Sequence, residues 1–141
     1  MKVTIITVTY NSAKFLEDCM SSVFAQDFND IEYIVIDGGS TDETVSIIKK
    51  HENKIAKWIS EKDNGMYDAI NKGMKMATGD IIGLLNSDDL LASKDVITAI
   101  VASFKQHKVD CVYSDLVYVD RFNTRKNYSL LEGTLLTFML R

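Results

Sequence analysis

The stretch Asn86-Ser87-Asp88-Asp89 sets an amide, a hydroxyl and two adjacent carboxylates directly after the apolar run Ile81-Ile82-Gly83-Leu84-Leu85. Packing alone gives no reason for that ending. A run of this length and character reads as a strand buried on both faces, and in an open α/β sheet ligands bind beyond the carboxyl ends of the strands. Two acids there are hard oxygen donors suited to a divalent cation such as Mn²⁺ or Mg²⁺. A polar turn followed by a solvated helix start would use the same residue types, so the pair gains meaning from its surroundings.

Three other apolar runs end in polar groups. Thr9-Tyr10-Asn11 follows Val3–Val8, Asp37-Gly38-Gly39-Ser40 follows Tyr33–Ile36, and Glu61-Lys62-Asp63-Asn64-Gly65 follows Ile55–Ile59. Strands sharing one carboxyl edge would bring these groups to a single crevice, as a nucleotide or sugar-phosphate site requires. Two glycines that make a turn and Ser40 as a helix cap would account for much of Asp37-Gly38-Gly39-Ser40, but Asp37 itself is harder to dismiss. Standing at the end of an apolar run, it needs a partner to offset desolvation, and a ligand amide or hydroxyl would serve. Asp68, Asn71 and Lys72 recur at three- and four-residue steps opposite Met66, Ile70 and Met74. They would either wall the mouth of the crevice or face solvent.

The elements that must position these groups alternate along the chain. Leu16, Cys19, Met20, Val23 and Phe24 mark a helix lying on a sheet. A second helix opens at the capping box Ser40…Glu43, with Asp42 in its first turn, and carries Val45, Ile47 and Ile48. The stripe Met66, Ile70, Met74 and Ala77 predicts a third helix with these residues buried, stopping at Gly79. Ser93 caps a fourth bearing Val96, Ile97, Ile100, Val101 and Phe104, and Cys111–Tyr113 and Leu116–Val119 read as further strands. The order β-α-β-α-β-α-β-α-β predicts an α/β fold with a mainly parallel central sheet and helices on both faces, in one domain over residues 1–141.

Composition excludes several function classes. With 141 residues, 46% of them apolar and 26% charged, the chain can bury a real core. Sixteen basic against twenty acidic residues, with no basic cluster on any one element, argue against a nucleic-acid partner. Cys19 and Cys111 stand far apart, outside any C-x-x-C pattern, and read as reduced core thiols, which fits a cytoplasmic setting. The amino-terminal run has the features of neither a signal peptide nor a membrane span. No G-x-G-x-x-G follows the first strand, and no P-loop or G-x-S-x-G elbow is present. His51 and His107 fall on outer helix faces or helix ends, so a histidine-based metal site is not expected.

The motif text matches a known pattern. Val3-Thr4-Ile5-Ile6-Thr7-Val8-Thr9-Tyr10-Asn11, Glu32-Tyr33-Ile34-Val35-Ile36-Asp37-Gly38-Gly39-Ser40-Thr41-Asp42, Ser60 through Gly73, and Ala77-Thr78-Gly79-Asp80 leading into Asn86-Ser87-Asp88-Asp89 stand in order. Over residues 2 to about 120, the chain resembles the family 2 glycosyltransferases of the Rossmann-like GT-A fold, especially bacterial polysaccharide-synthesis members.

The resemblance implies a nucleotide-diphosphate sugar donor, a glycan or lipid-linked acceptor, and transfer with inversion at the anomeric carbon. Ser87-Asp88-Asp89 would be the family's Asp-x-Asp-type motif, with Asp89 the favoured ligand of Mn²⁺ or Mg²⁺ and Asp88 beside it, contacting the sugar or ribose. Thr9, Tyr10 and Asn11 would line the base and ribose pocket, Asp37 would hydrogen-bond the base, and Asp63 and Lys72 would border the nucleotide. Two positions depart from the pattern: Gly38 stands where many members carry a second acid, and Ser87 replaces the first acid of the triplet.

The resemblance further implies that the catalytic base comes from a later segment, past Arg141. Leu135-Leu136-Thr137-Phe138-Met139-Leu140 then reads as an apolar segment cut off from its packing partners, and the chain as the N-terminal, nucleotide-sugar-binding portion of a C-terminally truncated domain. Asp115 and Asp120 are the remaining carboxylates near the last strands, with Asp115 an acceptor-side candidate. By family analogy a peripheral association with the inner face of the membrane is allowed. Two other functions stay open: a noncatalytic nucleotide-sugar-binding module, and a sugar-phosphate nucleotidyltransferase. The latter would need a Gly-rich basic loop where Thr9-Tyr10-Asn11-Ser12 stands. Nothing in the sequence specifies an oligomeric state.

Overall fold

The computed structural model describes residues 1–119 and 127–141. Its elements are β1 (Val3–Thr9), α1 (Leu16–Phe24), β2 (Ile31–Asp37), α2 (Thr44–Lys50), β3 (Lys57–Ser60), α3 (Met66–Met76), β4 (Ile81–Asn86), α4 (Val96–His107), β5 (Cys111–Val119) and β6 (Asn127–Leu140). They form a six-stranded sheet in the order β3-β2-β1-β4-β6-β5. The first four strands in that order are parallel, and β6 runs antiparallel to both of its neighbours. The mainly parallel α/β fold expected from the alternation is present.

Strand alternation sorts the side chains onto two faces. Val3, Ile5, Tyr33, Val35, Ile81, Leu85 and Phe138 pack with Leu16, Cys19, Met20 and Val23 of α1, Ile48 of α2, and Ile97, Ile100, Val101 and Phe104 of α4. On the other face Ile6, Ile34, Ile36 and Ile82 pack with Ala69 and Ala77 from α3 and its end. That face carries α3 alone among the described helices. The helix approaches closely because Gly73 lies against Ile6, where an added Cβ would come within 2.5 Å of Ile6 Cγ2. The buried side of α3 is therefore Ala69 and Gly73, not the expected Met66 and Met74, which are exposed. Small residues won the contact because they let the helix axis sit nearer the sheet.

Other expectations need correction. The segment Leu135–Leu140 is not cut off from the sheet: it belongs to β6, which lies between β4 and β5, and its Phe138 is buried. Gly83 pairs with Phe138, and the aromatic ring fills the space where a Gly83 side chain would be, with Phe138 only 1% exposed. Cys111–Tyr113 and Leu116–Val119 are one strand with a register irregularity between Ser114 and Leu116. Because β5 is an edge strand, Cys111 is exposed and not a core thiol, whereas Cys19 is buried as expected. The third strand begins at Lys57, two residues later than expected, although Ile55 is buried. Asp120 lies outside the described residues.

A buried carboxylate at the opposite end of the sheet from the predicted crevice ties these layers together. Glu32 stands across from Thr4 in the β1–β2 register and is 4% exposed. It accepts hydrogen bonds from Thr4 Oγ1 (2.7 Å), Thr78 N (2.7 Å), Thr78 Oγ1 (2.8 Å), Lys57 Nζ (3.2 Å) and Lys2 Nζ (3.4 Å). Lys57 also donates to Met76 O at the end of α3 (2.7 Å). Burial alone would raise the Glu32 pKa, but the Thr78 and Thr4 donors and Lys57 outweigh it and hold the carboxyl at about 2. Since the folded value lies below the ordinary 4.5, this stabilisation is complete above that pH and is lost as pH falls toward about 2. Glu32→Gln is expected to cost about 1–3 kcal/mol at neutral pH, the range for leaving buried partners unmatched, and to flatten the acid limb of stability. Urea unfolding across a pH series checks both.

Candidate functional site

Parallel register brings four strand ends level. Thr9 stands opposite Asp37, Asp37 opposite Ser60, and Val8 opposite Asn86. The loops leaving these ends surround a crevice of about 550 Å³. Thr9, Tyr10 and Ser12 come from the end of β1, Gly38 from β2, Lys62 and Asp63 from β3, and Asn86, Ser87 and Asp88 from β4, while Met66 and Ala69 close it from α3. Five of the site residues predicted from the sequence meet here, from three loops: Thr9, Tyr10, Asp63, Ser87 and Asp88.

Asp37, Asn11, Lys72 and Asp89 do not line the crevice surface and take other places. Asp37 is fully buried, and its carboxylate accepts from Gly39 N (3.2 Å), Ser40 N (3.0 Å), Ser60 Oγ (2.6 Å) and Ser40 Oγ. The protein itself supplies the partners that desolvation demands, so Asp37 builds the loop. This takes Ser40 away from helix capping, and α2 accordingly starts at Thr44, whose N–H is met by Asp42 Oδ1 (3.0 Å). Asn11, at a left-handed φ of 49°, accepts from Thr41 N through Oδ1 (2.9 Å) and donates its own N–H to Ser40 Oγ (2.8 Å). The β1 and β2 loops are thereby laced together. Lys72 Nζ lies 2.9 Å from Glu61 and 3.7 Å from Asp68, and the Glu61 hydrogen bond raises its pKa.

The acid loop is held from beneath. Ser87 Oγ bonds Ser12 Oγ at 2.9 Å, and Asn86 O accepts from Cys19 Sγ (3.4 Å) and from Asp89 N (3.1 Å). Burial pushes the Cys19 thiol up to about 12, so it is a protonated donor at neutral pH. Ser93 hydrogen-bonds Asp95 Oδ1 and leaves the α4 cap position to Asp95, correcting the expected cap. Asp88 is exposed into the crevice; Asp89 is half-buried, with Oδ2 accepting from Asn86 Nδ2 (3.2 Å). Burial raises the Asp89 pKa, the Asn86 amide opposes it, and the neighbouring Asp88 charge adds to it. Among the described residues neither acid has a cationic side chain within ion-pair distance. Two adjacent uncompensated carboxylates fit a hard divalent ion. No group of three metal-ligating side chains occurs among the described residues, so other ligands would have to complete the shell. Thr9 Oγ1, buried in the crevice wall, has no hydrogen-bond partner among the described residues.

Asp115 is on the edge strand β5, separated from β4 by β6, and is not part of the crevice lining. Sequence reasoning passed over Ser12 and Met66 as lining groups, and named Gly38 and Lys62 only as members of the strand-end groups. Ser12 and Lys62 each adjoin a residue that was chosen, and loop continuation from a strand end was the available signal.

Comparison with known proteins gives consistent matches. The family model described as glycosyl transferase family 2 matches residues 4–140. An uncharacterized glycosyltransferase of Mycobacterium tuberculosis is 41% identical over 100 residues, covering 70% of this chain and 38% of the relative. Chondroitin synthase of Escherichia coli is 32% identical over 121 residues, covering 84% of this chain and 18% of that protein. Among solved structures, residues 1–349 of S. aureus TarS in complex with UDP-GlcNAc superimpose with a TM-score of 0.72 at 30% identity, covering 79% of this chain and 33% of that one. The mannosyltransferase PcManGT from Pyrobaculum calidifontis, in complex with GDP-Man and Mn²⁺, gives 0.74 at 28% identity, covering 80% and 35%. The chain thus spans less than half the length of each of these proteins.

Replacing the buried Asp37 with Ala leaves four part-buried donors without their acceptor and is expected to cost about 1–3 kcal/mol of stability. Urea denaturation compared with the wild-type chain measures this, and an unchanged midpoint would contradict the loop-building role.

Proposed function

This chain belongs to glycosyl transferase family 2 and has the GT-A fold, and from that premise we propose that it binds a nucleotide-diphosphate sugar in the crevice and serves inverting transfer of the sugar to a glycan or lipid-linked acceptor in polysaccharide biosynthesis. The observation that carries this is the Asp88-Asp89 pair at the carboxyl end of β4, uncompensated by any cation among the described residues. Support comes from the UDP-GlcNAc complex of TarS and the GDP-Man and Mn²⁺ complex of PcManGT.

In this proposal residues 1–141 make one GT-A unit. Asp89 and Asp88 would hold a Mn²⁺ or Mg²⁺ ion, since a cation of this kind commonly takes one or two carboxylates plus substrate oxygens. When bound, such an ion supplies Lewis-acid stabilisation of the charge on the leaving nucleoside diphosphate. Ser87, braced by Ser12, fixes the approach of Asp88 to the sugar or ribose. Thr9 and Tyr10 wall the nucleoside, and Asp63 borders it. Asn11 and Asp37 act by shaping the loops, and Lys72 by pairing with Glu61 and Asp68. Inverting displacement also needs a carboxylate to take the acceptor hydroxyl's proton. The position of Asp115 beyond β6 gives no ground for assigning it that task.

Among the described residues no helix is long and apolar enough to cross a membrane. The proposal places the chain in the cytoplasm, with any membrane association peripheral and by family analogy.

Isothermal titration calorimetry with UDP- and GDP-sugars checks the donor site. Mn²⁺ is expected to tighten binding by at least about tenfold, and Asp89→Ala to abolish that gain, the scale expected when a metal site loses a supporting group. Equal affinity with and without Mn²⁺ would contradict the proposal, and release of nucleoside diphosphate on adding acceptor separates a transferase from a binding module.

A further inference from the structure

The β3 and β4 ends of the crevice are chemically different. Three strand spacings separate β3 from β4 in the order β3-β2-β1-β4, about 14 Å at ordinary sheet spacing. That is close to the reach of an extended nucleoside diphosphate from its base to its outer phosphate. With the diphosphate at Asp88 and Asp89, the base falls toward the ends of β2 and β3, where Gly38 and Asp63 line the wall.

These two residues form one unit. The Asp63 carboxylate lies over Gly38 so closely that an added Cβ there would sit 2.7 Å from Asp63 Oδ2 and 3.4 Å from Oδ1. Asp63 Oδ1 accepts from Gly65 N (2.9 Å), which fixes the side chain in this position. Oδ2 accepts no hydrogen bond from the described residues, and Asp63 makes no ion pair among them. A half-buried carboxylate at a cavity wall with one free oxygen is an acceptor waiting for an N–H or O–H donor.

The nucleobases divide sharply against such a group. Uracil, thymine and guanine each present a ring N–H flanked by a carbonyl. Cytosine and adenine present a bare ring nitrogen at the same edge, and a carboxylate facing it would leave two acceptors opposed. We propose that Asp63, seated over Gly38, reads the ring N–H of the donor's base, so that the crevice takes uracil-, thymine- or guanine-type nucleotides and rejects cytosine- and adenine-type ones. This rests on the donor-binding function proposed above. Gly38 takes part through its lack of a side chain, which leaves the space the carboxylate occupies.

The test is calorimetric titration of the full chain at saturating Mn²⁺ with two matched pairs, UDP against CDP and GDP against ADP. The N–H-bearing member of whichever pair binds is expected to be tighter by about tenfold or more, the scale of one hydrogen bond to a charged group. Asp63→Asn, which offers an amide N–H in place of an acceptor, should erase or invert that ratio. Gly38→Ala should erase it while keeping the charge, by displacing the carboxylate. Thermal melts establish that both variants are folded. Binding of UDP or GDP with a ratio unmoved by Asp63→Asn would overturn the assignment while leaving the donor site intact. Equal binding within each pair by the wild-type chain would do the same. If no nucleotide binds the wild-type chain with Mn²⁺, the donor-site proposal itself fails, and this assignment with it.

Discussion

The parallel in-register pairing of β2, β1 and β4 is the constraint on which the site depends. Thr9 pairs with Asp37 and Val8 with Asn86, so three chains leave the sheet at one level and every polar group after them opens onto the same edge. A shift of one residue in any strand would invert its two faces. Ile6, Ile34 and Ile36 would then leave the α3 side, and Asp37 would lose the Ser40 and Ser60 hydroxyls that hold it. Hydrophobic sorting onto two faces and placement of the chemistry are thus one requirement. Glu32 and its donors hold the opposite end of the same strands.

Acids serve three different purposes in this chain, and their surroundings separate them. Glu32 and Asp37 are buried and matched by the protein's own donors; they are structural. Glu61 and Asp68 are engaged with Lys72 of α3, outside the crevice lining. Asp63, Asp88 and Asp89 retain oxygens that accept no hydrogen bond from the described residues, two of these acids lie on the crevice wall, and burial raises the pKa of the third. A half-buried carboxylate such as Asp63 or Asp89 that the protein leaves without a full set of donors has its demand met from outside. That difference in satisfaction is what singles out the ligand-facing acids.

Strand ends and helix order were legible because each is a local pattern: Val3–Val8, Tyr33–Ile36 and Ile81–Leu85 fall within β1, β2 and β4. What escaped depended on distant partners. Ser40 carries a cap signature, but Asp37 and Asn11 claim its hydroxyl, so the helix starts at Thr44 instead. The buried face of α3 follows the close approach of Gly73 to Ile6, which favours Ala69 over the larger Met66 and Met74. Phe138 finds its place only across the sheet at Gly83, a contact no local window contains. In the site, the residue types were readable while their roles were not. Asp37 turned inward, and Asp63 took the wall, because the space above Gly38 admits a carboxylate.

The central claim, a metal-assisted donor site at the carboxyl end of β4, is tested most directly by paramagnetic broadening of amide NMR signals on adding substoichiometric Mn²⁺ with a nucleotide-diphosphate sugar. Broadening is expected first at Asn86, Ser87, Asp88 and Asp89, then at Tyr10 and Ser12 across the crevice, and to weaken sharply when the nucleotide is omitted. Broadening that spares residues 86–89 and instead follows exposed acids such as Glu43, Glu52 or Asp95 would contradict it.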